Sequence, residues 1–121
     1  MSMTLDAYNA FCGSLPHAQH VVQWGESHVW KVGGKVFAVA GWSKGAAPAV
    51  TFKCTPMAFE LLKHAPGLRP APYLASRGLT WLQRVSDASM DDAALNDYIR
   101  ESHRLAGLAL TRKRRRELGL E

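Results

Sequence analysis

Leu5, Tyr8, Phe11, Cys12 and Leu15 recur at three- and four-residue spacing, the stripe of an amphipathic helix. Thr4 precedes the run as an N-cap, with Met3 and Tyr8 placed to close a hydrophobic staple. Gly13 and Pro16 end it, so the pattern predicts a helix over residues 5–14. The period then changes to that of strands. Residues 20–24, HVVQW, predict a first strand that turns at Gly25. After it, HVWKV and KVFAVAGW flank Gly33-Gly34, a pair that can take the positive φ angles of a two-residue hairpin turn. That turn sets Val32 opposite Lys35, Lys31 opposite Val36, Trp30 opposite Phe37 and Val29 opposite Ala38.

A fourth strand is expected over 49–53, after the looser SKGAAP. Thr55-Pro56 reads as the N-cap and first residue of a second helix, with Phe59 and Leu62 facing inward, stopped by Ala65-Pro66-Gly67. Pro70 and Pro72 forbid regular ladder bonding in the following stretch, and LTWLQRV is the next strand, with Trp81 buried. Ser89 is placed to cap a long last helix. Its core face is Leu95, Tyr98, Ile99, Ser102, Leu105 and Ala109, and its solvated face Asp92, Asn96, Asp97, Arg100, Glu101 and Arg104. The order α-β-β-β-β-α-β-α is α+β, a mostly antiparallel sheet with N-terminal, middle and C-terminal helices on one face. No repeat or linker divides residues 1–110, and residues 111–121 continue as a basic helical extension.

Composition narrows the class. An apolar fraction of 47% with 21% charged residues places the 121-residue chain among folded domains rather than disordered ones. No apolar run nears the roughly 20 residues needed to cross a bilayer, and MSMTLDAYNAF lacks the features of a signal peptide. A cytoplasmic monomer without membrane contact is expected. Cys12 and Cys54 share no ligand spacing with each other or with histidines, so they read as small buried hydrophobes. The net charge of +5 is uneven. Arg112, Lys113, Arg114, Arg115 and Arg116 against Glu117 and Glu121 give the last eleven residues +3, while ten cations and eight carboxylates leave the remainder at +2.

Four segments together carry a family resemblance: YNAFCGSLPHA, VVQWGESHVWKVGGKVFA, APYLASRGLTWLQRV and LNDYIRESHRLAGLALTRKRRREL. In order and spacing they resemble the MmcQ/YjbR family, whose fold is similar to that of the bacterial frataxin CyaY and has been described as a double-wing DNA-binding motif. One departure is Ser102-His103, where the family tends to have Ser-Tyr. The resemblance implies a DNA-binding protein, although fold alone does not convey function.

The candidate chemistries rank accordingly. Gly-x-Ser-x-Gly, His-Glu-x-x-His and phosphate-cradling glycine loops are all absent, so no catalytic residue and no cofactor is assigned and a non-enzymatic role is expected. His17 and His20 read as solvated loop histidines, and no metal ligand is assigned. Iron handling, associated with the CyaY fold, needs clustered oxygen ligands, but only Asp6 and Glu26 lie in the corresponding region. Nucleic-acid binding through phosphates needs only grouped cations. Lys31 and Lys35 beside the Gly-Gly turn, Lys44, Lys53, Arg69, Arg77, Arg84 and Arg112, Lys113, Arg114, Arg115 and Arg116 are the candidates. The alternative is a protein-interaction module using an aromatic groove near Trp42 and Tyr73, which fall in predicted loops.

Overall fold

The computed structural model describes residues 4–23, 26–41, 49–72 and 79–120. The chain runs α1 (Leu5–Gly13), β1 (Ala18–Gln23), β2 (Ser27–Val32), β3 (Lys35–Ala40), β4 (Val50–Lys53), α2 (Pro56–Leu62), β5 (Leu68–Pro70), β6 (Trp81–Arg84), α3 (Asp92–Leu108) and α4 (Arg112–Glu117). The expected α+β class holds, with a six-stranded sheet in the order β1-β2-β3-β4-β6-β5. Every neighbouring pair is antiparallel.

The helix starts follow their caps. The hydroxyls of Thr4 and Thr55 accept from the amides of Ala7 at 3.1 Å and Ala58 at 3.2 Å, each satisfying a donor that the first helical turn leaves open. Asp91 rather than Ser89 caps α3, accepting from the Ala94 amide at 2.8 Å. Gly33 and Gly34 take φ of +57° and +85°, so the hairpin turn forms as its glycines allow.

Beyond the turn, the register departs from the simple count. Val32 faces Lys35 and Lys31 faces Val36, but Trp30 faces Ala38 and Val29 faces Val39, because the pairing shifts between Trp30 and Lys31. The shift is a β-bulge, in which one strand contributes an extra residue, here Phe37. Phe37 and Ala38 both join the core, with Trp30, Phe52 and Leu82. The anticipated Trp30–Phe37 cross-strand pair is therefore replaced by Trp30–Ala38.

Alternation along the paired strands divides the sheet into two faces. Trp30, Ala38, Phe52 and Leu82 share the face that meets the helices, with Tyr8 and Cys12 from α1 and Leu95, Ile99 and Ala106 from α3 in the same cluster. Val29, Val39, Thr51 and Gln83 form one cross-strand row on the opposite face and are fully buried as well. On α3 the buried face is Leu95, Ile99, Ser102, His103, Ala106 and Gly107. Tyr98 and Leu105 are half-buried, and Ala109, expected in the core, is exposed.

Two further expectations are corrected. Pro70 does enter the sheet, because β5 is a three-residue edge strand paired only with β6, where a missing amide costs no inner rung. The basic tail does not continue α3. That helix ends at its C-cap, Ala109, and Thr111 begins a new one, its hydroxyl accepting from the Arg114 amide at 3.1 Å. Between the two helices Leu110 is buried, so the break turns an apolar side chain inward.

Candidate nucleic-acid interface

α4 is seated on the β2–β3 hairpin. A Cβ placed on Gly33 would lie 2.7 Å from Leu110 Cδ1 and 3.1 Å from Leu118 Cδ1, so both leucines rest on the bare backbone of the turn. Leu120 returns toward α3, reaching 3.9 Å from the equivalent position on Gly107. The Leu120 amide donates to the Arg115 carbonyl at 2.9 Å and closes the helix end. Three leucines thus hold a six-residue helix of five cations and one carboxylate against the turn that Lys31 and Lys35 flank.

The cations expected to meet phosphate separate into distinct situations. Lys35 is exposed at the start of β3, and Lys31 is half-buried on β2. Lys31 and Val36 pair across the hairpin, which puts Lys31 on the sheet face opposite α1 and α3. Lys53 and Arg69 lie on that same face by the β4–β6 and β5–β6 registers. Arg69 Nε donates to Gln83 Oε1 at 2.6 Å, and Gln83 Nε2 donates onward to the Gly41 carbonyl at 3.4 Å. Among the described residues no carboxylate pairs with Lys31, Lys35, Lys53 or Lys113.

Arg84 is of another kind. It is only 4% exposed, and its guanidinium donates to the Met90 carbonyl at 2.9 Å and to Asp92 Oδ1 at 2.8 Å. It ties β6 to the start of α3 and is not available to phosphate. On α4, Arg114 pairs with Glu117 at 3.2 Å and Arg115 Nη1 lies 3.5 Å from the Leu108 carbonyl. Arg112 and Arg116 are also engaged in contacts. Lys44, Arg77, Trp42 and Tyr73 lie outside the described residues.

The Ser102-His103 pair is structural. Ser102 Oγ donates to the Phe37 carbonyl at 2.6 Å and accepts from the Lys53 amide at 2.8 Å. His103, 8% exposed, hydrogen-bonds through Nε2 to the Pro16 carbonyl at 2.8 Å and meets Phe37 edge-on at 5.1 Å between centroids. The departure from Ser-Tyr therefore changes an interior contact between α3 and the loop after α1. No local signal marks Ser102 as a ligand of the sheet, because its partners lie 65 and 49 positions away.

Other reactive side chains are held quiet. Burial pushes the Cys12 thiol up to about 12 and the Cys54 thiol up to about 11, so both stay protonated and poorly nucleophilic. Between α3 and α4 a pocket of about 160 Å³ is lined by His103, Arg104, Gly107, Leu108, Arg115 and Leu120. It falls short of the few hundred Å³ typical of small-molecule sites. Among the described residues no group of three or more His, Cys, Asp or Glu side chains is set to hold a metal ion. None of the described helices is long and apolar enough to cross a membrane.

The chain matches a family model, YjbR, over residues 13–105. The chain belongs to the YjbR family. YjbR-type architecture extends to solved structures. The Deinococcus radiodurans protein DR2400, with domain DUF419, superposes with a TM-score of 0.83 at 24% identity, covering 98% of this chain and 89% of that one. A protein from Pseudomonas syringae superposes at 0.68 with 14% identity, over 86% of this chain and 99% of its own. At such identities the likeness is one of fold. No curated protein matches the chain. The match over residues 13–105 stops short of α4, so the seated basic helix lies beyond the matched segment.

Proposed function

We propose that this YjbR-family chain is a non-enzymatic, cytoplasmic DNA-binding protein that acts as a monomer through phosphate contacts. The observation that supports the reading is the seat of α4, with the cations of residues 112–116, on the Gly33 turn that Lys31 and Lys35 flank in the sequence. Such a group binds a polyanion by releasing condensed counterions and needs no base readout. Lys53 and Arg69 lie on the sheet face that also carries Lys31. Arg84 takes no part.

The test is duplex binding by the full chain across a salt series. Deleting the tail would also uncover Gly33, so the informative variants keep Leu110, Leu118 and Leu120 and replace Lys31, Lys35, Lys113 and Arg114 by alanine. The slope of log affinity on log salt should shrink by about 0.9 for each phosphate that is no longer neutralised. No binding by the parent chain at low salt, or an unchanged slope in the quadruple variant, sinks the reading.

A second reading, a protein-interaction module, draws support from Met57 and Leu61. They are 74% and 75% exposed one turn apart on α2, an apolar pair that a partner would cover.

A further inference from the structure

Two strands end the sheet, β1 on one side and β5 on the other. An open edge presents unpaired amides and carbonyls, and natural sheets guard it with shortness, charge or proline. β5 has all three: it is three residues long and contains Arg69 and Pro70. β1 has none. Its six residues, AQHVVQ, are uncharged and without proline, and all six pair with β2 in one unbroken register. About half of the backbone groups of such a strand point away from its partner. Among the described residues no strand lies beyond it.

The side chains of β1 are as open as its backbone. Across the sheet, one row on the face away from α1 and α3 runs Arg69, Gln83, Thr51, Val39, Val29, Val21. Its four inner members are fully buried, while one end is an exposed cation and the other a valine 36% exposed. On the opposite face His20 is exposed beside Trp30, and Val22, two residues on, is 50% exposed. An apolar row thus stops in solvent at a strand edge whose hydrogen-bonding groups lack a further strand.

We propose that two copies of the chain pair antiparallel along β1, about a two-fold axis at Val21, and so join their sheets edge to edge. β1 is complementary to itself in that register. Val21 meets Val21 of the second copy, Gln19 meets Gln23 and His20 meets Val22, each pair on one face of the sheet as antiparallel pairing demands. The apolar row continues through the seam, the glutamines can bond amide to amide, and no charge stands opposite a charge. The helices leave room. α1 packs over β1, β2 and β3, so it centres on β2, and the β2 strands of the two copies lie three strand spacings apart, about 14 Å. Packed helices need only about 8–10 Å between axes. The phosphate contacts of the proposed function belong to a single chain and need no second copy. A seam of one strand from each side falls in the class under about 1,200 Å², which associates weakly, so the chain is single when dilute and paired when concentrated.

The experiment is sedimentation velocity of the full chain from about 10 μM to about 1 mM, the span in which weak association shows. The parent chain should move from one copy toward two. Val21→Lys, which places like charges face to face on the axis, should stay single throughout. Met57→Lys adds the same charge on α2, at the β5 side of the sheet, where Met57 is 74% exposed, and should pair as the parent does. Circular dichroism confirms each fold. A second measurement reads the register. With Cys12 and Cys54 buried, Val21→Cys carries one accessible thiol, its Cα about 4.5–5.5 Å from that of the second copy, within the span of a disulfide. In Gln19→Cys the two thiols are offset along the strand by about 14 Å. Under diamide, which takes up the two thiol hydrogens as the S–S bond forms, Val21→Cys should cross-link about tenfold faster than Gln19→Cys. A parent chain that stays single at every concentration overturns the proposal. So does pairing that survives Val21→Lys or is lost in Met57→Lys as well, and so do equal cross-linking rates.

Discussion

The hydroxyl of Ser102 is bonded to the carbonyl of Phe37 at the point where the β3–β4 ladder stops. The last paired residues there are Ala38 and Phe52. One step further, the Phe37 carbonyl and the Lys53 amide no longer meet each other but share Ser102 Oγ between them. A helical side chain therefore supplies a rung of the sheet.

Ser102→Ala would leave a buried carbonyl and a half-buried amide without a partner. Each unsatisfied buried group costs about 1–3 kcal/mol. We expect a loss of about 2–4 kcal/mol on the same grounds, read as a lower urea midpoint with an unchanged slope. A loss under about 0.5 kcal/mol, within the range of neutral surface changes, would show that water or a shifted backbone replaces the rung.

Gly33→Ala and Gly34→Ala form a matched pair. Both alanines must adopt positive φ, at a cost of about 1–2 kcal/mol each. Only at position 33 does the new methyl also meet Leu110 and Leu118, since nothing lies within 4 Å of the same atom on Gly34. Amide hydrogen exchange in α4 should accelerate in Gly33→Ala and stay near the parent rate in Gly34→Ala. Equal acceleration in both would mean that the turn, and not the leucine seat, orders α4.

Alkaline pH should destabilise the fold through its buried acids. Cys12 moves from an ordinary value of 9.0 to about 12 on folding, and Cys54 from 9.0 to about 11, both by burial. Tyr8, also buried, shifts well above 10.0. Their protonated forms are the ones the core accepts, so their contribution is complete below pH 9 and fades as the unfolded chain ionises first. Stability should fall by up to about 1.4 kcal/mol per pH unit for a single such group, through the window from pH 9 to about 12 for Cys12. Denaturation midpoints measured from pH 8 to 11 should show a shallower decline in Cys12→Ala than in the parent chain. Parallel curves would remove Cys12 from the account.

Much of the fold is legible in local residue order, because caps and turns act over a few positions. Thr4, Thr55 and the two glycines at 33 and 34 each announce an element with no help from the rest of the chain. The bulge at Phe37 is not announced, and the partner of its carbonyl is a hydroxyl 65 positions later. Arg84 looks like any surface cation until β6 is seen running beneath the start of α3, where Met90 and Asp92 wait. The break before α4 does carry a signal: Thr111 caps as Thr4 and Thr55 do, but the continuous run of helix formers around it hides the cap. For the candidate interface, the cations are legible in the chain and their grouping is not. Leu110 and Leu118 decide that grouping, and nothing local tells a leucine which backbone it will rest on.

The break at Ala109–Thr111 also has an electrical side. Had α3 run on, its last residues would have stood out from the body as a rod, about 1.5 Å further for each residue. Folding back sets them beside the hairpin tip instead, and with them most of the chain's surplus positive charge. The surplus charge of the tail is thereby held at one place on the fold rather than trailing from it. On the proposed reading, a polyanion would exert a torque on such a body before touching it and would draw it in hairpin end first.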